Sequence, residues 1–278
     1  LYWRCAMDAR TGVKVAEREL SAVDNLVFER TNLSARQFAY SFTANVTQNV
    51  ENTEWAAGFR TEYMKQESDI RDTQRQDDIN ISGFVGATDQ WNSHWRSGVY
   101  VSSGYRVPTL NERYFSGSTP RGMTIGDPLL KTEHAINVQA GLDYQTDDFS
   151  VSLSVFSQSI DHYIERVSLS PVLQQYVNIG NAEISGASYQ FYRRFPHGYY
   201  VRAAGQLLSG EGDNGEPING VSPDHHSATV GWRSNGHEIW LSANYRANHS
   251  RPGDSEIYTD STRFFRAGYK VDLTEKFG

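Results

Sequence analysis

Phe149-Ser150-Val151-Ser152-Leu153-Ser154-Val155 alternates without a break between large apolar and small polar side chains. In an extended chain successive side chains leave opposite faces, so this stretch has one greasy face and one hydroxylated face. A helix would repeat its apolar stripe every three to four residues instead. The same rhythm returns in Ile136, Val138, Ala140, Leu142 and Tyr144, interleaved with Asn137, Gln139, Gly141 and Asp143. It returns again in Phe265, Ala267, Tyr269, Val271 and Leu273, interleaved with Arg266, Gly268, Lys270 and Asp272. Similar runs cover residues 38–46, 55–63, 79–87, 95–105, 199–207, 228–232 and 239–245, with weaker ones at 1–10 and 184–194. The pattern predicts about twelve strands and no sustained helix.

Between the runs, connections alternate in length. Short ones fall at 48–53, 90–93, 146–148, 195–198 and 234–236. Long polar ones fall at 11–33, 65–77, 106–133, 166–174, 209–224 and 247–260. A β-sandwich also alternates and also has many strands. It does not require runs of roughly a dozen residues or a short–long rhythm of connections, and an antiparallel transmembrane barrel requires both. A propeller would show a fixed repeat period, and none is visible.

Composition agrees. Only 38% of the 278 residues are hydrophobic, mean hydropathy is -0.59, and no stretch approaches the roughly 20 apolar residues of a membrane helix. Barrel strands escape such a scan because only alternate residues face lipid. The 16 Tyr and 6 Trp suit interfacial girdles in a chain otherwise so polar. A net charge of -7 without a basic run excludes a nucleic-acid partner. The single cysteine, Cys5, excludes an internal disulfide and a cysteine-built zinc site. No Gly-Xaa-Ser-Xaa-Gly elbow, His-Glu-Xaa-Xaa-His or phosphate loop is present, so no enzyme is expected.

Three segments carry a family resemblance. Tyr105-Arg106-Val107-Pro108-Thr109-Leu110-Asn111-Glu112-Arg113-Tyr114 resembles the Phe-Arg-Ala-Pro box of TonB-dependent outer-membrane receptors, with Tyr for Phe and Val for Ala. Gly126-Asp127-Pro128-Leu129-Leu130-Lys131-Thr132-Glu133 is similar to their Gly-Asn-Pro-Asp-Leu-Lys-Pro-Glu box, departing at Asp127, Leu129 and Thr132. Tyr176-Val177-Asn178-Ile179-Gly180-Asn181-Ala182 resembles the Asn-Xaa-Gly-Asn-Ala pattern that leads into a strand in the same family. The order and spacing of all three agree with the family, and the match is weakest before Ala35.

The resemblance implies an all-β, antiparallel transmembrane barrel in which residues 1–278 supply about twelve of about 22 strands. It implies a start near the ninth strand, an end short of the last ones, and a plug domain and energy-coupling segment that lie outside this chain. It further implies a Gram-negative outer membrane, TonB-coupled uptake of a ferric siderophore or similar chelate, and no cofactor beyond that cargo. The expected partners are the chelate, a TonB-type protein reached through the N-terminal part, and outer-membrane lipid. A haem or cobalamin receptor of the same family, and a passive pore or adhesin, are the alternatives. Unpaired edges of a partial barrel would be costly in hydrocarbon, so the missing strands are expected to complete it.

Candidate ligand contacts follow from topology. Arg113, Tyr114 and Arg121 lie in the loop between the first two boxes, which faces outward in such receptors. Arg pairs with carboxylate or catecholate oxygens and Tyr stacks and hydrogen-bonds, although the same residues could simply order a long loop. His225 and His226 begin a strand, so at most one faces the lumen, and His225 is the candidate. Tyr114 or His134 could serve a haem reading, but residues 109–125 contain no histidine. The acids Asp213, Asp254 and Glu256, with Asn214, show no calcium-loop spacing; they and Asp69, Asp72, Asp77 and Asp78 read as solvated loop charge. No metal ligand set is expected.

Overall fold

The computed structural model describes the backbone at residues 2–23, 26–69, 75–119 and 122–272, and the side chains among these from Leu33 onward. The chain begins with the strands β1 (Tyr2–Val23), β2 (Leu26–Val50), β3 (Thr53–Ser68), β4 (Gln76–Gln90) and β5 (Trp95–Arg106). A short helix α1 (Leu110–Tyr114) and the strands β6 (Ser116–Thr119) and β7 (Gly122–Ile125) precede β8 (Glu133–Gln145) and β9 (Phe149–Asp161). After β10 (Ile164–Ser170) and β11 (Leu173–Asn178) come β12 (Asn181–Arg194), β13 (Tyr199–Gly212), β14 (His225–Ser234), β15 (His237–Arg246) and β16 (Thr262–Val271). Twelve of these form one antiparallel sheet in sequence order, with β1 and β16 outermost and not paired to each other. The remaining four, β6, β7, β10 and β11, form a separate small sheet in the connections.

Registry joins the alternation of each strand to that of its neighbours. Val85 lies opposite Val101, Val101 opposite Val138, Ala140 opposite Val155, and Val230 opposite both Val201 and Leu241. Their shared face is an exposed apolar band, with Leu153 at 47% and Val155 at 55% exposure. The other face carries hydroxyls and amides that bond across strands: Thr88 to Tyr100 at 2.6 Å, Ser154 to Ser188 at 2.8 Å, Thr229 to Ser242 at 3.0 Å. An apolar outside and a hydrogen-bonded polar inside is the division a membrane barrel needs. It inverts the soluble arrangement, in which the larger apolar residues would be covered.

At the short-turn end the outer face closes in a chain of rings. Trp91 meets Trp95 at 6.3 Å, Trp95 meets Tyr144 at 4.7 Å, Tyr144 meets Phe149 at 5.6 Å, and Phe149 meets Phe191 at 5.5 Å. Amphipathic rings concentrate where hydrocarbon gives way to headgroups. The turns themselves are tight. Asn235 and Gly236 have φ of 49° and 77°, which only a primed two-residue hairpin turn requires, and Asn-Gly is its preferred sequence.

Two stretches read as loops are more ordered than that. Residues 11–23 and 26–33 extend β1 and β2 into one long antiparallel ladder instead of leaving it. A polar sequence pairs as well as an apolar one where water, not lipid, bathes it, because the ladder is made by backbone groups alone. Residues 166–174 belong to the β10–β11 hairpin, and β11 also runs parallel to β7. Leu273, placed in the last run by its pattern, lies outside the described residues.

The faces yield a direct test. An arginine on the lipid face near the midplane costs ~2–4 kcal/mol, and one on the polar face costs far less. Leu153→Arg is expected to cut the yield of folded barrel in membranes severalfold, and Ser152→Arg to leave it near the parent level. Heat-modifiable migration on gels reads both; equal yields would reject the assigned faces.

Candidate ligand-binding mouth

The long connections meet at one end of the sheet, and the three boxes hold them together. Arg106, at the end of β5, donates to Glu133 through Nε at 2.7 Å and Nη2 at 2.6 Å, and to Glu112 through Nη1 at 2.8 Å. Glu112 also closes the first turn of α1. Its carboxylate accepts from the Thr109 N–H at 2.7 Å while the Thr109 hydroxyl accepts from the Glu112 N–H at 3.2 Å, a reciprocal capping box. Glu133 is buried and accepts from the Ile164 N–H as well. The third box joins through Asn178, which accepts from the Lys131 N–H at 2.9 Å and donates to the His162 carbonyl at 2.6 Å. Gly126 packs so closely on α1 that a Cβ would sit 2.6 Å from the Glu112 carbonyl, so glycine is required there. The boxes are thus one structural clasp.

Beneath the clasp, α1 packs on the polar face of the sheet. Leu110, Tyr114 and Phe115 bury against Leu33 and Ala35. Arg113 is 1% exposed; its guanidinium donates to Gln66 and Asp78 on β3 and β4, at 2.7 and 2.8 Å, and to the Leu130 carbonyl at 2.9 Å. Tyr114 is 2% exposed. In this arrangement both side chains hold the loop and offer a ligand almost no surface, the loop-ordering role open to them in the sequence. Arg121 lies outside the described residues.

His225 stands exposed on the polar face, in register with Arg246 and Gln206. His226 is on the outer face, 3.1 Å from the Tyr189 hydroxyl and stacked on Tyr245. The parity argument therefore separates the two correctly. His134 is exposed near the start of β8.

A second junction binds three further connections. Glu165 of β10 accepts from the Asn219 N–H at 2.6 Å, and Tyr163 donates to the Asn219 carbonyl at 2.9 Å. Asp254 accepts from the Ser168 N–H at 2.6 Å. Glu256 accepts from the Gly220 N–H at 2.9 Å and pairs with His249 at 3.0 Å. The reading of these acids as solvated charge is corrected here: Asp78, Asp254, Glu256 and Asp213, which accepts from the Asn181 N–H, each bind a donor that would otherwise be orphaned. Asp69 and Asp77 are also engaged, with Ser34 and with Tyr63 and Arg75, while Asp72 lies outside the described residues.

Burial sets the electrostatics of this junction. It pushes the Tyr163 hydroxyl up to about 12, helped by the charge of Glu165. It also raises the Glu165 carboxyl, against the Asn219 N–H, and the nearby Asp254 and Glu256 add to the rise. Glu256 goes the other way: burial opposes the charge, but the Gly220 N–H, His249 and the Gly253 N–H together hold it below its ordinary range. Among the described residues no cluster of His, Cys, Asp or Glu has metal-holding geometry.

Residues 11–275 match the family model described as TonB dependent receptor-like, beta-barrel, and the chain belongs to that family. Solved structures of the same fold include a copper transporter, OprC, at TM-score 0.86 and 13% identity over 98% of this chain and 46% of that one. The ferric yersiniabactin uptake receptor FyuA of Yersinia pestis aligns at TM-score 0.68 and 16% identity, over 99% of this chain and 47% of that one. The Serratia marcescens hemophore receptor HasR aligns at TM-score 0.70 and 14% identity, over 98% of this chain and 53% of that one. This chain spans about half the length of each. No curated protein matches it in sequence at a significant level.

Two tests address the mouth. Breaking a buried ion pair from one side costs ~3–5 kcal/mol. Arg113→Met, which removes the guanidinium that Asp78 and Gln66 share, is expected to open residues 116–125 to protease in the full-length protein while the barrel still migrates as folded. Unchanged cleavage would show that Arg113 does not hold the loop. The second test uses pH. A raised carboxyl favours the folded junction in acid, and that contribution is lost as pH rises through its folded pKa, whereas that of Glu256 is lost as pH falls. Glu165→Gln keeps the acceptor without the charge. It is expected to slow cleavage within residues 213–224 at neutral pH, and to match the parent below about pH 4, where the parent carboxyl is neutral too. Faster cleavage of the variant at neutral pH would contradict the assignment.

Proposed function

We propose that this chain is the barrel portion of an outer-membrane receptor for TonB-coupled uptake of a ferric siderophore or similar metal chelate. The observation that carries the reading is the mouth itself. The family's three boxes are built here into a clasp that gathers long connections over the polar face, while short turns occupy the other end. Loops presented on a rigid scaffold are where recognition residues concentrate. Long loops at one rim and short turns at the other suit an antiparallel barrel whose loops face the outside of the cell.

On this reading Arg121 and His225 are the direct contacts of the ligand, and Arg113 and Tyr114 shape the connection to which Arg121 belongs. A chelate with catecholate or carboxylate oxygens fits arginine and imidazole donors. The other strands of the closed barrel, the plug and the coupling segment belong to the rest of the protein. Fold neighbours that carry copper, a ferric siderophore and haem define the panel against which the cargo is identified.

Growth of an iron-starved host, with and without the full-length gene, on ferric siderophores, haem and cobalamin is the primary experiment, with copper uptake measured alongside. Rescue by a ferric siderophore alone is the expected outcome; rescue by haem or cobalamin, or gene-dependent copper accumulation alone, would overturn the siderophore reading. Arg121→Ala and His225→Ala are then expected to weaken binding of the rescuing chelate by about tenfold each. Parent-like binding in both would move the recognition site elsewhere.

A further inference from the structure

We infer that Arg193 and the rings around it form a binding site for the phosphate of a membrane phospholipid at the short-turn rim of the barrel. The inference rests on the outer-membrane reading above and adds a specific lipid contact to it. Arg193 belongs to the apolar face. It lies in register with Phe149 on β9 and Val201 on β13, two residues along from Phe191. Its guanidinium carbon stands 5.6 Å from the centroid of Phe149 and 5.8 Å from that of Phe195. It makes no ion pair with any described carboxylate. The contrast at the other rim is direct: Arg36 and Lys65, on the same face, both pair with Glu67.

A cation on the lipid face is tolerated at the interface, where its cost falls to ~0–1 kcal/mol. Arg193 sits at that depth, because it continues the row of rings formed by Trp95, Tyr144, Phe149 and Phe191. Ring faces hold a guanidinium by its flat surface and leave its edge N–H groups free. Those edges match a phosphate oxygen pair in a bidentate bond. The exposed Phe195 and Tyr199 flank the position and cover the first methylenes of acyl chains. The anion that a bilayer supplies at this depth is the phospholipid phosphate.

The test uses the full-length protein extracted from the outer-membrane fraction into a neutral detergent, with phosphatidylglycerol as the probe and native mass spectrometry as the readout. Recovery from that fraction tests the outer-membrane reading by itself; absence from it would sink that reading and the site together. Given recovery, the parent is expected to retain bound phosphatidylglycerol, and Arg193→Gln to retain about tenfold less. Arg266→Gln, which removes an arginine from the opposite face, is expected to retain as much as the parent. Phe195→Leu leaves the charge in place and removes one of its two rings, and a partial loss is expected from it even if Arg193→Gln assembles poorly. Equal retention by the parent and both Arg193→Gln and Phe195→Leu, or equal losses in Arg193→Gln and Arg266→Gln, would overturn the site. Displacement of the lipid by inorganic phosphate would also overturn it, by showing a solvent anion site instead of a lipid one.

Discussion

A strand inside hydrocarbon has no water to satisfy its N–H and C=O groups, so each must find its partners on the strand beside it. The consecutive antiparallel pairing from β1 to β16 is the direct expression of that constraint. It explains why side-chain chemistry is free to divide so sharply between faces: the ladder is carried by the backbone, and side chains need only suit lipid on one side and each other on the inside. It also explains the tight turns at one rim. A hairpin closed by Asn235 and Gly236 leaves few backbone groups unpaired.

At the other rim the same requirement is met by different means. The connections there have few ladder partners, and carboxylates take the role of neighbouring strands. Glu112 accepts from Thr109, Glu133 from Ile164, Asp254 from Ser168 and Glu256 from Gly220. Several acidic side chains of the chain thus serve to order this end. Charge-assisted bonds of this kind are roughly twice as strong as neutral ones, which is what a loop needs to stay in place without a core beneath it.

Much of this was legible beforehand. Alternation in Phe149 to Val155 and its counterparts named the barrel strands and their faces, because a period of two has one physical meaning in a strand. Parity alone put His225 and His226 on opposite sides. The loops resisted for a physical reason: whether Arg113 reaches a ligand or a buried Asp78 depends on which face α1 packs against, and no local pattern encodes that. One signal was overlooked. Thr109-Leu110-Asn111-Glu112 is a capping box, and it announces both the helix and the second task of Glu112. Polarity misled at residues 11–23 and 26–33, where a long ladder continues outside the apolar band.

The polar face contains one more device. A Cβ on Gly86 would strike the Tyr100 ring at 2.1 Å, one on Gly231 would strike Tyr200 at 2.3 Å, and one on Gly268 would strike Trp240 at 2.4 Å. In each case a large ring on one strand lies flat over a glycine on the next, in direct register. A residue that weakens a strand by itself is thereby shielded by its neighbour. The two members of such a pair are not free to change independently in descent. Enlarging the glycine forces the ring off the wall, and shrinking the ring exposes bare backbone to the lumen. Substitution at these places should come in matched pairs, so that the bore of the barrel changes in steps, one ring at a time.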